Sequence, residues 1–196
     1  GEFSLYRGRS LDTITQCEGK DAFLAVREDL DRMAYGSYLV ELLDSFTVPG
    51  EAQQDLFFLL LVSLHLLSVN EPELVVRTFQ IRLMNLLGYG LHLNDCVICG
   101  QSIEEPRVVF SSRMGGVICA SCSIQDNDAI ICSRGSMNMI QQLAKWDVKR
   151  LKVLKLSGEI KREIGAILHT YIEQRLERKI KSAEFLQSLE SMQNIG

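Results

Sequence analysis

Cys96, Cys99, Cys119 and Cys122 form two C-x2-C pairs separated by nineteen residues. That is the spacing of a zinc ribbon. Two residues between cysteines let one tight turn aim both sulfurs at a common point. Gly100 and Gly115-Gly116 stand where such turns need a positive φ. Four thiolates complete a tetrahedral, closed shell around Zn²⁺ and leave no position for water, so the metal is expected to be structural. The competing readings are two disulfides, or four thiols kept for packing. Two C-x2-C units at ribbon spacing are an improbable accident, and nothing in the sequence signals the oxidising compartment that disulfides require. His92 lies near Cys96, but four cysteines already fill the shell. Cys132 and Cys17 read as plain buried thiols.

No other chemistry stands out. There is no dinucleotide fingerprint, Walker loop, nucleophile elbow or HExxH pair. His65, His92 and His169 are scattered, and His65 reads as a packed histidine. The chain is therefore expected to bind rather than to catalyse. Its longest apolar stretch, LFFLLLVSLHLL, is too short to span a bilayer. The reading is of an intracellular protein with reduced thiols, not of a membrane protein. The formal charge of −4 is unevenly spread: −6 over residues 1–92, −3 over 93–132 and +5 over 133–196. A basic C-terminal part suits a phosphate-facing surface. It suits a solvated helix face with i,i+4 pairs equally well, for example Glu159 and Glu163 beside Lys161 and Arg162.

Around the cysteines the pattern is mostly helical. Residues 1–19 alternate apolar and polar and break at Gly8, which predicts a hairpin over Phe3–Arg7 and Leu11–Cys17. A lone hairpin is marginal in water, so these strands want a sheet; the alternative is a hairpin lying against the helices. From Asp21 the period becomes helical, with Leu30, Met33, Ala34, Ser37, Tyr38, Glu41 and Leu42 on one face. The next helix, about Gln53–Val69, is apolar nearly all round, which predicts burial at the centre. Pro72 opens a third helix and Gly88 caps it. PRVVFSS and GGVICAS read as the strands of the ribbon, over about 93–132. That segment has too few large apolar side chains for a core of its own, so metal is expected to supply its fold. Ser133 or Ser136 caps a helix to Lys145, and Ser157 caps a long amphipathic one. The expected architecture is mainly α. It comprises a hairpin at 1–19 and a helical domain at 20–196 that carries the inserted four-cysteine zinc ribbon.

The segments YRGRSLDTITQCE, REDLDRMAYGSYLVELLD, RTFQIRLMNLLGYG, CVICG with CASC, and KSAEFLQSL occur in that order and span essentially the whole chain. Together they resemble the RecO family of DNA repair proteins. The resemblance implies that the hairpin is left over from an oligonucleotide-binding (OB) barrel. It further implies a non-enzymatic recombination mediator, cytoplasmic and nucleoid-associated. Such a protein binds single-stranded DNA, the C-terminal tail of single-strand-binding protein (SSB) and RecR, helps load RecA, and anneals complementary strands. The acidic, apolar SSB tail needs a basic residue beside an apolar groove, and Arg77 and Phe79, with Arg82 one turn on, stand at the family's matching motif. Phe79 as core is the alternative. Arg7, Arg9, Lys149, Arg150, Lys152, Lys155, Arg175, Arg178, Lys179 and Lys181 are candidates for a DNA track on charge alone. The rival function is a zinc-stapled helical adaptor that binds only protein.

Overall fold

A computed structural model describes residues 1–48, 50–145, 151, 154, 156, 158–176, 180–183 and 185–186. The chain is mainly helical with small antiparallel sheets. Strands β1 (Glu2–Tyr6) and β2 (Thr13–Glu18) form the hairpin, one or two residues offset from the sequence reading, with a register shift between Ser4 and Leu5. Every residue of both strands is exposed, including Phe3, Leu5, Tyr6 and Ile14. Cys17 is exposed with them, which corrects its reading as a buried thiol.

Helices α1 (Leu24–Arg27), α2 (Leu30–Phe46), α3 (Gln54–Leu67) and α4 (Pro72–Leu86) follow. The Asp29 side chain accepts from the Arg32 N–H at the start of α2, and Glu71 does the same for Leu74 at the start of α4, satisfying donors that an open helix end leaves unpaired. Gly88, at φ 81°, closes α4. Its N–H donates to the Asn85 carbonyl while the Tyr89 N–H donates to Met84, a pair of bonds that needs a left-handed residue at this position. Gly36 on α2 lets α1 come close, because a Cβ there would lie 3.3 Å from Val26.

The centre of the molecule is α4, not α3. Helix α4 packs against α2, α3, α5 and α6 and buries Leu74, Val75, Val76, Phe79, Ile81, Leu83 and Met84. Helix α3 buries only Leu56, Ser63 and Leu67, and Phe57 and Phe58 are 60% and 57% exposed. Apolar composition sets how much a helix gains from burial, but the number of neighbours decides which helix is buried. On α2 the inward face is Ala34, Tyr38, Leu39 and Leu42; Leu30 and Met33, expected inside, are exposed. His65 is not packed inside either. It lies against the Phe23 ring with centroids 5.0 Å apart, and its Nδ1 is 3.5 Å from Asp21.

The ribbon contributes β3 (Arg107–Ser111), β4 (Gly116–Ile118) and β5 (Ile130–Ser133) in the order β4-β3-β5, all antiparallel. Strand β5 carries Cys132 opposite Val108 and was not foreseen. Helices α5 (Arg134–Lys145) and α6 (Gly158–Glu173) pack on it. Val108, Phe110, Val117, Ile118 and Cys132 join the same continuous core as the helices. Metal alone therefore does not supply the ribbon's fold, since its sheet is also held by apolar burial against α5 and α6. Ser133 is the cap of α5, its Oγ accepting from the Ser136 N–H at 3.2 Å. The expected cap Ser157 lies outside the described residues.

Candidate metal centre and charged groove

Two turns build the metal centre. After Cys96 the chain reverses, with the Gly100 N–H donating to the Cys96 carbonyl at 2.8 Å and Gly100 at φ 72°. After Cys119 the N–H groups of Cys122 and Ser123 both donate to the Cys119 carbonyl at 3.0 Å. The Val97 N–H bonds to Val117, and the Cys119 N–H points at the Cys96 sulfur at 3.4 Å, which ties the turns together. The four sulfurs lie within 4.8 Å of one another. Burial would raise the Cys96 thiol, but backbone N–H donors from Cys119, Cys99 and Ile98 outweigh it and bring it to about 6. The neighbouring Cys119 thiol, then burial, pushes Cys122 up to about 12. Four thiols this close cannot all ionise unaided, and a divalent cation among them removes the conflict. The donor set and closeness fit a metal ion and are compatible with zinc. Among the described residues no other such cluster occurs. Cys132 stands apart, donating to the Val108 carbonyl, with burial raising its thiol to about 12. His92 bonds to Asp95 at 2.5 Å instead of joining the sulfurs.

A groove of about 710 Å³ opens between α2, α4 and α6, with Ala183 and Leu186 along its edge. Its walls include Tyr35, Tyr38, Val76 and Ala166; its cations are Arg77, Lys161 and Arg162, and the carboxylates of Asp31, Glu71 and Glu73 line it beside them. The Arg77 guanidinium is held in place on three sides. Nη2 donates to Glu73 at 3.2 Å, Nη1 donates to Gln80 at 3.2 Å, and Gly165 of α6 leaves room for it. A Cβ at Gly165 would sit 3.0 Å from Arg77 Nη2. Gln80 in turn donates to the Tyr38 hydroxyl at 2.6 Å, and burial raises that phenol. Burial alone would lower the Lys161 ammonium; ion pairs to Glu73 and Glu71 outweigh it and hold it above its usual value.

The segment from residue 27 to residue 184 matches the family model described as Recombination protein O C terminal. The chain belongs to the RecO family. It is 39% identical over 188 residues to a DNA repair protein RecO of Desulforamulus reducens, covering 96% of this chain and 73% of that relative. The corresponding protein of Symbiobacterium thermophilum is 39% identical over 191 residues, covering 95% and 76%. That of Pelotomaculum thermopropionicum is 37% identical over 184 residues, covering 94% and 72%.

Within this chain the foreseen residues fare differently. Arg77 lines the groove. Phe79, two residues on, is fully buried in the core and is absent from the groove lining. Arg82 is half-buried and is absent from the groove lining. Arg7 and Arg9 are exposed at the hairpin turn. Arg175 is committed elsewhere: its guanidinium lies 3.4 Å from the Tyr171 ring centroid and 5.7 Å from that of Tyr89, and it donates to the Ser112 carbonyl at 3.2 Å. It joins the end of α6 to the ribbon. Lys181 is exposed, and its N–H and that of Ser182 are both received by Glu41 of α2. Lys149, Arg150, Lys152, Lys155, Arg178 and Lys179 lie outside the described residues.

Several partners were missed from sequence. Lys161 was read as a solvated helix charge, yet it reaches back to Glu71 and Glu73. Glu163 was read the same way. Its Oε2 instead accepts from the Ser133 N–H at 2.9 Å and from the hydroxyls of Ser133 and Ser136 at 2.6 Å each, capping α5 from α6. A glycine inside an amphipathic helix was the one available signal for Gly165. No helix of the described residues is long and apolar enough to cross a membrane.

Proposed function

We propose that this chain serves DNA repair as a non-enzymatic recombination mediator that holds the C-terminal tail of SSB in the groove at Arg77. With RecR and single-stranded DNA it then helps RecA replace SSB and anneals complementary strands. The observation that carries the reading is the groove itself. It joins cations from two helices to apolar walls, which is what an acidic, apolar tail requires, although Asp31, Glu71 and Glu73 line it too and a tail must compete with them. The cluster of Cys96, Cys99, Cys119 and Cys122 holds a structural zinc; bound there, the metal supplies a closed cross-link between the two turns and no reactive position. The exposed apolar side chains of residues 1–19 support their reading as a hairpin of an OB barrel, with Arg7 and Arg9 available to DNA. Membership of a family of DNA repair proteins supports the nucleoid as the place of action.

The second reading is a zinc-stapled adaptor that binds only protein. The engagement of Arg175 with the ribbon favours it, because it removes one cation from the DNA track. Binding of a fluorescent SSB C-terminal peptide, run beside single-stranded DNA across a salt series, separates the two. Peptide binding lost on deletion of the terminal phenylalanine, with salt-dependent DNA binding, supports the mediator. Peptide binding without DNA binding supports the adaptor. Absence of peptide binding removes the groove from the mechanism.

A further inference from the structure

The groove's two inner cations already share a carboxylate. Glu73, in the first turn of α4, has a side chain only 11% exposed. Its Oε1 receives Arg77 Nη2 at 3.2 Å and its Oε2 lies 2.5 Å from Lys161 Nζ. One side chain therefore joins α4 to α6 and uses both of its oxygens to do so. The remaining partner of Lys161, Glu71, is 3.4 Å away with a 53% exposed side chain, so it screens the ammonium only weakly. The Arg77 Nε is buried and has no hydrogen-bond partner among the described residues. Arg77 thus keeps one unused donor while its charge is already met.

We propose that Glu73 is a resident competitor for the groove: an acidic peptide binds by putting its own carboxylate on Arg77 and Lys161 in place of Glu73. The inference rests on the groove reading above and states what the ligand must overcome. Empty, the groove needs Glu73, because two half-buried cations on adjacent helices repel each other without an anion between them. A ligand that brings only a carboxylate exchanges one anion for another and gains little. One that also places an apolar side chain against Tyr35, Val76 and Ala166 gains burial that Glu73 cannot supply. Glu73 therefore selects ligands whose carboxylate adjoins an apolar residue, and rejects small anions and purely acidic chains.

Fluorescence anisotropy on the full chain tests this, with a labelled acidic peptide ending in a free phenylalanine carboxylate and a second of aspartates alone. Glu73→Gln keeps the side-chain shape and an acceptor for Arg77 but removes the competing charge. It is expected to tighten the phenylalanine-ended peptide by about tenfold or more, the scale of one close charge pair. The all-aspartate peptide should gain proportionally more, since charge is all it offers. Glu73→Asp keeps the charge but is too short to span both cations, and should tighten binding by less than Glu73→Gln does. It also covers the case in which Glu73→Gln does not fold. Equal or weaker binding by the folded variants, with the parent chain binding, overturns the competition and leaves the groove reading standing. Absence of binding by parent and variants alike overturns both.

Discussion

Replacing Glu163 by Gln tests whether one helix caps another across the ribbon joint. A single carboxylate oxygen receives the Ser133 N–H and the Ser133 and Ser136 hydroxyls. Glutamine retains an acceptor at that point but turns three charge-assisted bonds into neutral ones. Bonds to a charged group contribute roughly 1.5–3 kcal/mol and neutral ones about 0.5–1.5 kcal/mol, so the unscreened loss is about 3 kcal/mol. Glu163 is only half-buried, and solvent screening brings the expected loss to about 1–2 kcal/mol. The pH dependence carries the sign. Burial acts to raise the Glu163 carboxyl, but the serine hydroxyls, the Ser133 N–H and the charge of Arg107 outweigh it and hold the carboxyl below its usual range. A group depressed on folding adds stability that is fully present above its unfolded value, about 4.3, and is lost as pH falls through the folded value. Urea unfolding of parent and variant at a series of pH values is the assay. Taking the difference between them cancels the acid sensitivity of the thiolates. The gap should be constant from neutral pH to about pH 5 and close below that. A gap under about 0.5 kcal/mol, or one that ignores pH, refutes the cap.

Cys99→Ser should lose metal binding while helical circular dichroism largely survives, because α2, α4 and α6 pack through residues other than the four clustered cysteines; unchanged zinc content by elemental analysis would contradict this. Arg175→Ala should cost about 1–2 kcal/mol by losing the contact with the Tyr171 ring and the bond to Ser112, without changing the salt dependence of DNA binding. A changed salt slope would return Arg175 to the DNA track. Arg77→Ala should weaken the SSB-tail peptide by more than Lys149→Ala does, and equal affinities by calorimetry would remove Arg77 from the peptide's binding site.

The metal centre was legible because it is local. Each C-x2-C pair is made by one turn, and the two thiols that the turn aims stand three residues apart in the chain. Helix existence was legible for the same reason, since periodicity and caps such as Asp29, Pro72 and Gly88 act within a few residues. What lay beyond the sequence was which surfaces meet. Helix α3 is the most apolar and yet leaves Phe57 and Phe58 exposed, because α4 occupies the position that touches every other long helix. The ribbon joins the main core through Phe110, whose ring meets Tyr171 edge-on at 6.1 Å. The groove depends on Lys161 meeting Glu73, and the cap on Glu163 meeting Ser133. Those pairs are far apart in the chain, and no spacing rule links residues that only the packing of α4, α5 and α6 brings together. The sequence by itself determined which residues turn and coil and which thiols stand at metal-ligand spacing, since those properties are set by neighbours along the chain. The tertiary structure alone decided which charges face each other, because that depends on helix placement, which many side chains fix jointly.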